Sequence, residues 1–260
     1  MLECDYNLHK SNSTYFADAD IARTHLTTAI LRAGILRANR REKETASKVK
    51  GKTEAGASES SGKPFIALGG VACVFRKEIK PYERYEIWTR LLTWDRKWLY
   101  IVSHLVKPGT FKPSSYALQP WKNKSAVVAE EEQGPEYKEK LLKSVFATSI
   151  AKYVIKKGRI TIPAEQVLRD SDLLPEKPEG ATGAADDISI FDSPMTETEL
   201  LAETLSHTLS GEVTWEAIEN QRRRGLRYAQ MFAGLDGLHG VFDGGAPGIL
   251  GEYSDMILWP

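Results

Sequence analysis

The stretch Asp5-Tyr6-Asn7-Leu8-His9-Lys10-Ser11-Asn12-Ser13-Thr14 runs directly into a long apolar segment from Tyr15 to Arg37. In that segment Phe16, Ala19, Ala22, Leu26, Ala29, Ile30, Ala33 and Leu36 recur at helical spacing. Ile21, Leu31 and Ile35 fall off the stripe and carry apolar surface most of the way round. This pattern predicts a long helix that is buried rather than laid on a surface. Asn12, Ser13 and Thr14 are each candidates for its N-cap. In an extended segment alternate side chains share a face, so Asp5, Asn7 and His9 point one way and Tyr6 and Leu8 the other. A helix N-terminus presents unpaired N–H groups and the positive end of the dipole. An acid, an amide and an imidazole aimed there suit the stabilisation of an oxyanion. The same residues also suit an Asn/Asp-rich turn with a structural His9.

Beyond the helix, residues 41–63 carry charge, Ser, Gly and Ala but no aromatic residue, and predict a mobile loop. Phe65–Ile79 is apolar on both alternating sets as far as Arg76, which predicts a strand covered on both faces. Tyr82–Trp94 and Lys97–Lys107 are rich in β-branched and aromatic residues and flank Asp95-Arg96, the pattern of a hairpin. Val145–Ile155 and Arg159–Ile162 predict two more strands. A Pro-, Gly- and acid-rich loop follows at 175–199, then a helix from about Thr214 and a Gly-rich tail. One long helix followed by mostly antiparallel strands is an α+β pattern. Neither a GxGxxG nor a Walker-type loop is present. Glu78, at the mouth of the greasy strand, is a candidate general base or a solvated strand end.

The chain has 260 residues, 42% hydrophobic and 27% charged, with 35 basic and 35 acidic side chains and a formal net charge of zero. These are globular values, and the absence of a basic excess argues against general nucleic-acid binding. Cys4 and Cys73 cannot staple a fold of this size, and neither has metal-ligand spacing. No signal peptide and no membrane-length apolar run is visible, so a cytoplasmic protein is expected. His25, His104, His207 and His239 show no metal spacing, and Trp88, Trp94 and Trp98 suit a core or a dimer interface.

The motif Asp5-x-Asn7-x-His9-x-x-Asn12-x-x-Tyr15 resembles that of the hotdog-fold thioesterases, including the 4-hydroxybenzoyl-CoA thioesterase-like group and the plant acyl-carrier-protein thioesterases. Leu68-Gly69-Gly70-Val71 through Phe75-Arg76-Lys77-Glu78, Arg90–Asp95 and Lys97-Trp98 are similar to the fungal and animal branch. Val213–Glu216 to Leu235–Leu238 is similar to a C-terminal extension of fungal members, several of which belong to secondary-metabolite gene clusters. The resemblance implies an antiparallel sheet wrapped around a long central helix, in a hotdog domain over residues 1–165, with a helical extension over 166–260. It implies a homodimer and hydrolysis of acyl thioesters of coenzyme A or acyl carrier protein, with no cofactor beyond that carrier. By the same resemblance Asp5, Asn7, His9 and Glu78 are catalytic, with Glu78 activating water or attacking the carbonyl, and Asn12, Ser13, Thr14 and Tyr15 hold the substrate. Two departures stand out: only Met1–Cys4 precede the motif where family members carry a strand, and position 11 is serine where many relatives have asparagine. A hotdog dehydratase or cyclase, or a non-catalytic acyl-binding protein, would use the same residues.

Overall fold

A helix, α1 (Asn12–Val49), is followed by strands β1 (Phe65–Phe75), β2 (Glu86–Trp94) and β3 (Trp98–Val106), helix α2 (Pro135–Ser144), strands β4 (Val145–Lys157) and β5 (Ile160–Ile162), and helices α3 (Ala164–Asp170) and α4 (Trp215–Ala233). The computed structural model describes residues 4–49, 63–110, 135–178 and 214–241. The strands form one antiparallel sheet in the order β1-β4-β3-β2. The short β5 takes the side of β4 that β3 leaves open beyond Val154. The arrangement is α+β, as expected.

The hairpin lacks an Asn-Gly turn because Asp95 supplies the turn chemistry itself. Its Oδ1 accepts from the backbone N–H of Lys97 at 2.7 Å and of Trp98 at 2.6 Å, and Asp95 N–H donates to Trp98 O at 3.0 Å. A bulge between Leu68 and Gly70 lets β1 pass under the Trp98 ring, where a Cβ on Gly69 would lie 2.2 Å from the ring.

Helix α1 differs from its expected burial. Its buried positions are Tyr15, Ala19, Arg23, Thr27, Leu31 and Gly34; they share Ala19 with the stripe read in the sequence and otherwise lie beside it, with Leu26 and Ile30 of that stripe packed against the core. Ile21 and Leu36 are more than half exposed, so the helix buries one side against the sheet and is not buried most of the way round. An apolar count misses part of this face because two of its members, Arg23 and Thr27, are polar. Arg23 is satisfied by Tyr153 Oη (2.8 Å), Ser149 Oγ (3.4 Å) and Asp20 (3.3 Å), and Thr27 Oγ1 donates to Arg23 O at 2.9 Å. The helix also continues through residues 41–49, where a loop was expected. Arg37 and Arg41 pair with Asp172 and Asp170 at the end of α3, and 41–49 consists mostly of good helix formers. The remainder of the expected loop, residues 50–62, lies outside the described residues, as do 179–199 of the expected 175–199 loop and the tail beyond Val241.

Facing α1, the sheet carries a transverse polar row. Thr89, Ser103, Ser149 and Cys73 are in register on β2, β3, β4 and β1. Thr89 and Ser103 hydroxyls lie 2.9 Å apart, and Arg23 lies over Ser149. This row divides the core. On one side Tyr15, Ile79, Leu105, Phe146 and Ala147 pack together. On the other are Leu31, Leu99, Ile101, Ala151, Tyr153 and Ile155.

Strand β1, expected to be covered on both faces, is an edge strand with Phe65 and Leu68 about half exposed and Val74 67% exposed. The opposite face of the sheet is covered by α4, the helix expected from about Thr214; its N-cap is Thr214, which accepts from Ala217 N–H. Ala229 and Phe232 pack on Tyr100, Trp98, Leu92 and Ile150. Gly225 permits the approach, since a Cβ there would meet Leu92 O at 2.6 Å. Lys152, buried on this face, pairs with Asp236 at 2.5 Å.

His104 lies on the same face, its Nδ1 3.1 Å from Thr148 Oγ1. Burial, and then the Arg90 charge, pull its pKa down from 6.5 to about 4. Between these values the unfolded chain binds a proton that the native state does not. Stability is therefore full above pH 6.5 and falls as the pH drops toward 4, by about 3 kcal/mol at most. Urea midpoints at about pH 7.5 and about pH 4.5 should differ more for the native sequence than for His104→Gln. Equal differences would assign the acid sensitivity elsewhere.

Candidate active site

Residues 4–10 form a tight turn, the second of the two arrangements that the sequence suited, and not an extended segment. Cys4 and Lys10 bridge antiparallel, Asp5 N–H donates to His9 O at 2.9 Å, and Leu8 N–H donates to Asp5 O at 3.1 Å. The turn closes on the Asp5 side chain, whose Oδ1 accepts from Asn7 N–H at 2.9 Å and His9 N–H at 3.3 Å. Short-range hydrogen bonding by an Asp side chain to the backbone two residues on is what displaces the strand. Leu8 pays with φ of +61°, a left-handed conformation that costs a non-glycine residue.

The turn brings His9 to the centre of a carboxylate–imidazole–carboxylate line. Its Nδ1 lies 3.4 Å from Asp5 Oδ1 and its Nε2 3.4 Å from Glu78 Oε2. Glu78 reaches this position because β1 ends at Phe75 and the chain turns toward the loop. Arg76 and Lys77 N–H groups donate to Phe146 O, and Lys10 N–H donates to Ile79 O at 3.0 Å. The imidazole is one-third exposed and Glu78 about half exposed, so the line is open to solvent on one side. Such a group can pass a proton between two carboxylates and a bound molecule.

Of the eight residues expected at a site, Asp5, His9 and Glu78 come together. Asn7 joins through its backbone, and its side chain is exposed. Asn12 and Ser13 stand exposed in the first turn of α1 beside the loop. The residue preceding α1 is Ser11, so the cap position falls there rather than on Asn12, Ser13 or Thr14; its hydroxyl lies 3.0 Å from that of Ser13. Thr14 gives its N–H to Ser11 O, which removes that amide from the set open to a ligand. Tyr15 is buried, packed edge-on against Phe75 with 5.0 Å between ring centroids, and is a core residue rather than a surface contact.

Three residues beneath the site were not singled out in the sequence. Lys10 Nζ pairs with Asp18 Oδ2 at 2.6 Å, and Tyr85 Oη donates to the same oxygen at 2.6 Å. Burial works against the Lys10 charge, but the hydrogen bonds to Asp18 and Tyr85 outweigh it and raise the pKa above its ordinary value. Burial also raises Tyr85. The signal in the sequence was Asp18, a carboxylate between the buried helix positions 15 and 19. A separate cleft of about 270 Å³ lies between the second half of α1, β5 and α3, lined by Gly34, Ile35, Ile162 and Val167 among others. It is about 35 Å along α1 from the loop. Among the described residues, no group of three or more His, Cys, Asp or Glu is placed to hold a metal, and no helix is long and apolar enough to cross a membrane.

Residues 1–131 match the thioesterase-like superfamily. A probable thioesterase of Emericella nidulans, atnL, is 34% identical over 259 residues, covering 98% of this chain and 72% of its own. The thioesterase poxG of Penicillium oxalicum is 34% identical over 246 residues, covering 94% and 67%. A solved gentisyl-coenzyme A thioesterase, BH1999, aligns with 65% of this chain and 89% of its own, at 14% identity and a TM-score of 0.34. The chain belongs to the thioesterase-like superfamily, and its long helix on an antiparallel sheet is the hotdog arrangement expected of that family. By class it is a thioester hydrolase.

Proposed function

We propose that the Asp5–His9–Glu78 line hydrolyses an acyl thioester carried on coenzyme A or on an acyl carrier protein, in secondary metabolism and in the cytoplasm. The observation that supports this most is His9 held 3.4 Å from each of two carboxylates at the entry to α1. In this reading the thioester carbonyl lies against the first turn of α1. The Glu78 carboxylate takes a proton from water as the water oxygen adds to the carbonyl carbon. The oxyanion is held by the Asn12 and Ser13 amides with Asn7 or His9. Removing one such donor commonly costs about 100- to 1,000-fold in kcat. When the tetrahedral intermediate collapses the C–S bond breaks, the thiolate takes the proton, and a free acid and a thiol leave. Asp5 orients the imidazole through Nδ1 and holds the turn.

The residues of this reading are Asp5–Tyr15 and Glu78, and α4 lies on the opposite face of the sheet, so the C-terminal helix enters the reading as a cover of the sheet rather than as a catalytic element. A homodimer is part of the proposal, and the half-exposed apolar edge of β1 supports pairing of two copies there.

The test is release of free thiol from a panel of acyl-coenzyme A and acyl-carrier-protein thioesters, with the product mass recorded. Thiol release with gain of one water by the acyl product is the expected result. Thiol release without that gain would indicate cyclisation, loss of water on the carrier would indicate a dehydratase, and binding without turnover would indicate an acyl-binding protein.

A further inference from the structure

We propose that Lys10 is a positioning residue, which holds His9 against Glu78 by tying the His9 turn to α1 and to the chain beyond β1. This rests on the functional reading above. The two sides of the His9–Glu78 contact are joined one residue further on, where Lys10 N–H donates to Ile79 O at 3.0 Å. The side chain then passes under the site. Its ammonium, with the side chain only 5% exposed, reaches Asp18 Oδ2 on α1 at 2.6 Å, and Tyr85 donates to the same oxygen. Tyr85 lies on the segment that leads from Glu78 into β2. The ammonium also lies 5.6 Å and 5.1 Å from the ring centroids of Tyr15 and Tyr85. Tyr15 is packed against Phe75, three residues before Glu78. Every segment that meets at the site is thus linked through one lysine.

A lysine suits this role better than an apolar residue. The turn contains Leu8 in a left-handed conformation, and such a residue persists only where its surroundings over-determine it. Asp5 supplies the fastening on the N-terminal side, through the N–H groups of Asn7 and His9. Lys10 supplies it on the C-terminal side. The ammonium is charge-paired and doubly backed by aromatic rings, so releasing it would leave Asp18 with Tyr85 alone and the turn without its inner anchor.

The experiment compares the full chain with Lys10→Met, Lys10→Arg and Tyr85→Phe, measuring thioester turnover and site-resolved amide hydrogen exchange. Misplacing a reacting group by about 1 Å can cost about a hundredfold. We therefore expect Lys10→Met to lose at least about tenfold in kcat with KM within about twofold, Tyr85→Phe to lose about threefold, and Lys10→Arg to recover most of the rate. Exchange of the His9 and Lys10 amides should rise in Lys10→Met while the β3–β4 amides keep their protection. Wild-type kcat and unchanged loop exchange in Lys10→Met would overturn the proposal. A loss of protection spread equally over the core in Lys10→Met would mark general destabilisation, and the same two readouts in Tyr85→Phe then decide: native kcat and unchanged loop exchange there would overturn the proposal. If the native chain releases no thiol from any thioester, the functional reading fails, and exchange at His9 and Lys10 still decides whether Lys10 holds the turn.

Discussion

Glu78→Gln should lower kcat by about 100- to 10,000-fold while leaving KM nearly unchanged. Glutamine keeps the shape and can still meet His9 Nε2, but it cannot accept a proton from water. Glu78 is 53% exposed and its recorded partner is the imidazole at 3.4 Å. Its replacement should therefore move the stability by no more than about 0.5 kcal/mol. Steady-state kinetics on the best thioester of the panel, beside a thermal melt, separate the two quantities. A folded Glu78→Gln protein that keeps most of the activity would remove Glu78 from the chemistry and leave the His9–Asp5 pair to be tested alone.

The second large effect is on stability. Arg23→Ala should destabilise the fold by about 3 kcal/mol. The guanidinium is 2% exposed and fills the space between α1 and β4. Truncation leaves the Tyr153 and Ser149 hydroxyls without their donor and opens a cavity between the two halves of the core. Arg23→Met, which restores much of the volume but none of the hydrogen bonds, should fall between the native chain and the alanine variant. Urea unfolding of the three proteins provides the comparison. A change below about 1 kcal/mol in Arg23→Ala would mean that the helix closes onto the sheet without the guanidinium.

The hairpin, the strand at Val145 and the helix beginning after Thr214 were legible because each rests on local composition: β-branched and aromatic runs for the strands, apolar residues at helical spacing for the helix. The motif residues Asp5 and His9 were legible too, together with Glu78 nearly seventy positions away. What local patterns cannot show is a polar side chain that finds its partner across the fold. Arg23 and Thr27 lie outside the apolar stripe of α1; Arg23 is buried on hydroxyls 130 and 126 residues later, and Thr27 closes its hydroxyl on Arg23 O within the helix. That is why the stripe read on α1 holds Ala19 of the buried face but misses Arg23 and Thr27. Lys10 was read as part of a polar run for the same reason, since Asp18 and Tyr85 meet it only once the helix is packed. At Asp5–His9 the sequence suited both an extended segment and an Asn/Asp-rich turn, and the hydrogen-bonding reach of the aspartate decides for the turn. Residues 41–49 lack aromatics but not helix formers, and their continuation depends on Asp170 and Asp172.

The polar row across the sheet also specifies strand alignment. Each strand carries a single small polar or thiol residue at the row, flanked two positions either way by apolar ones: Ile87 and Leu91 about Thr89, Leu105 and Ile101 about Ser103, Ala147 and Ala151 about Ser149, Phe75 and Val71 about Cys73. A slip of two residues keeps the same face inward, so hydrophobic alternation alone does not oppose it. Here such a slip in β4 would slide Ala147 or Ala151 beneath Arg23 and strip the guanidinium of its hydroxyl partner. A slip in β2 or β3 would break the Thr89–Ser103 contact. The row therefore acts as a key that distinguishes the native alignment from its nearest in-phase competitors, at a place where apolar packing would accept either.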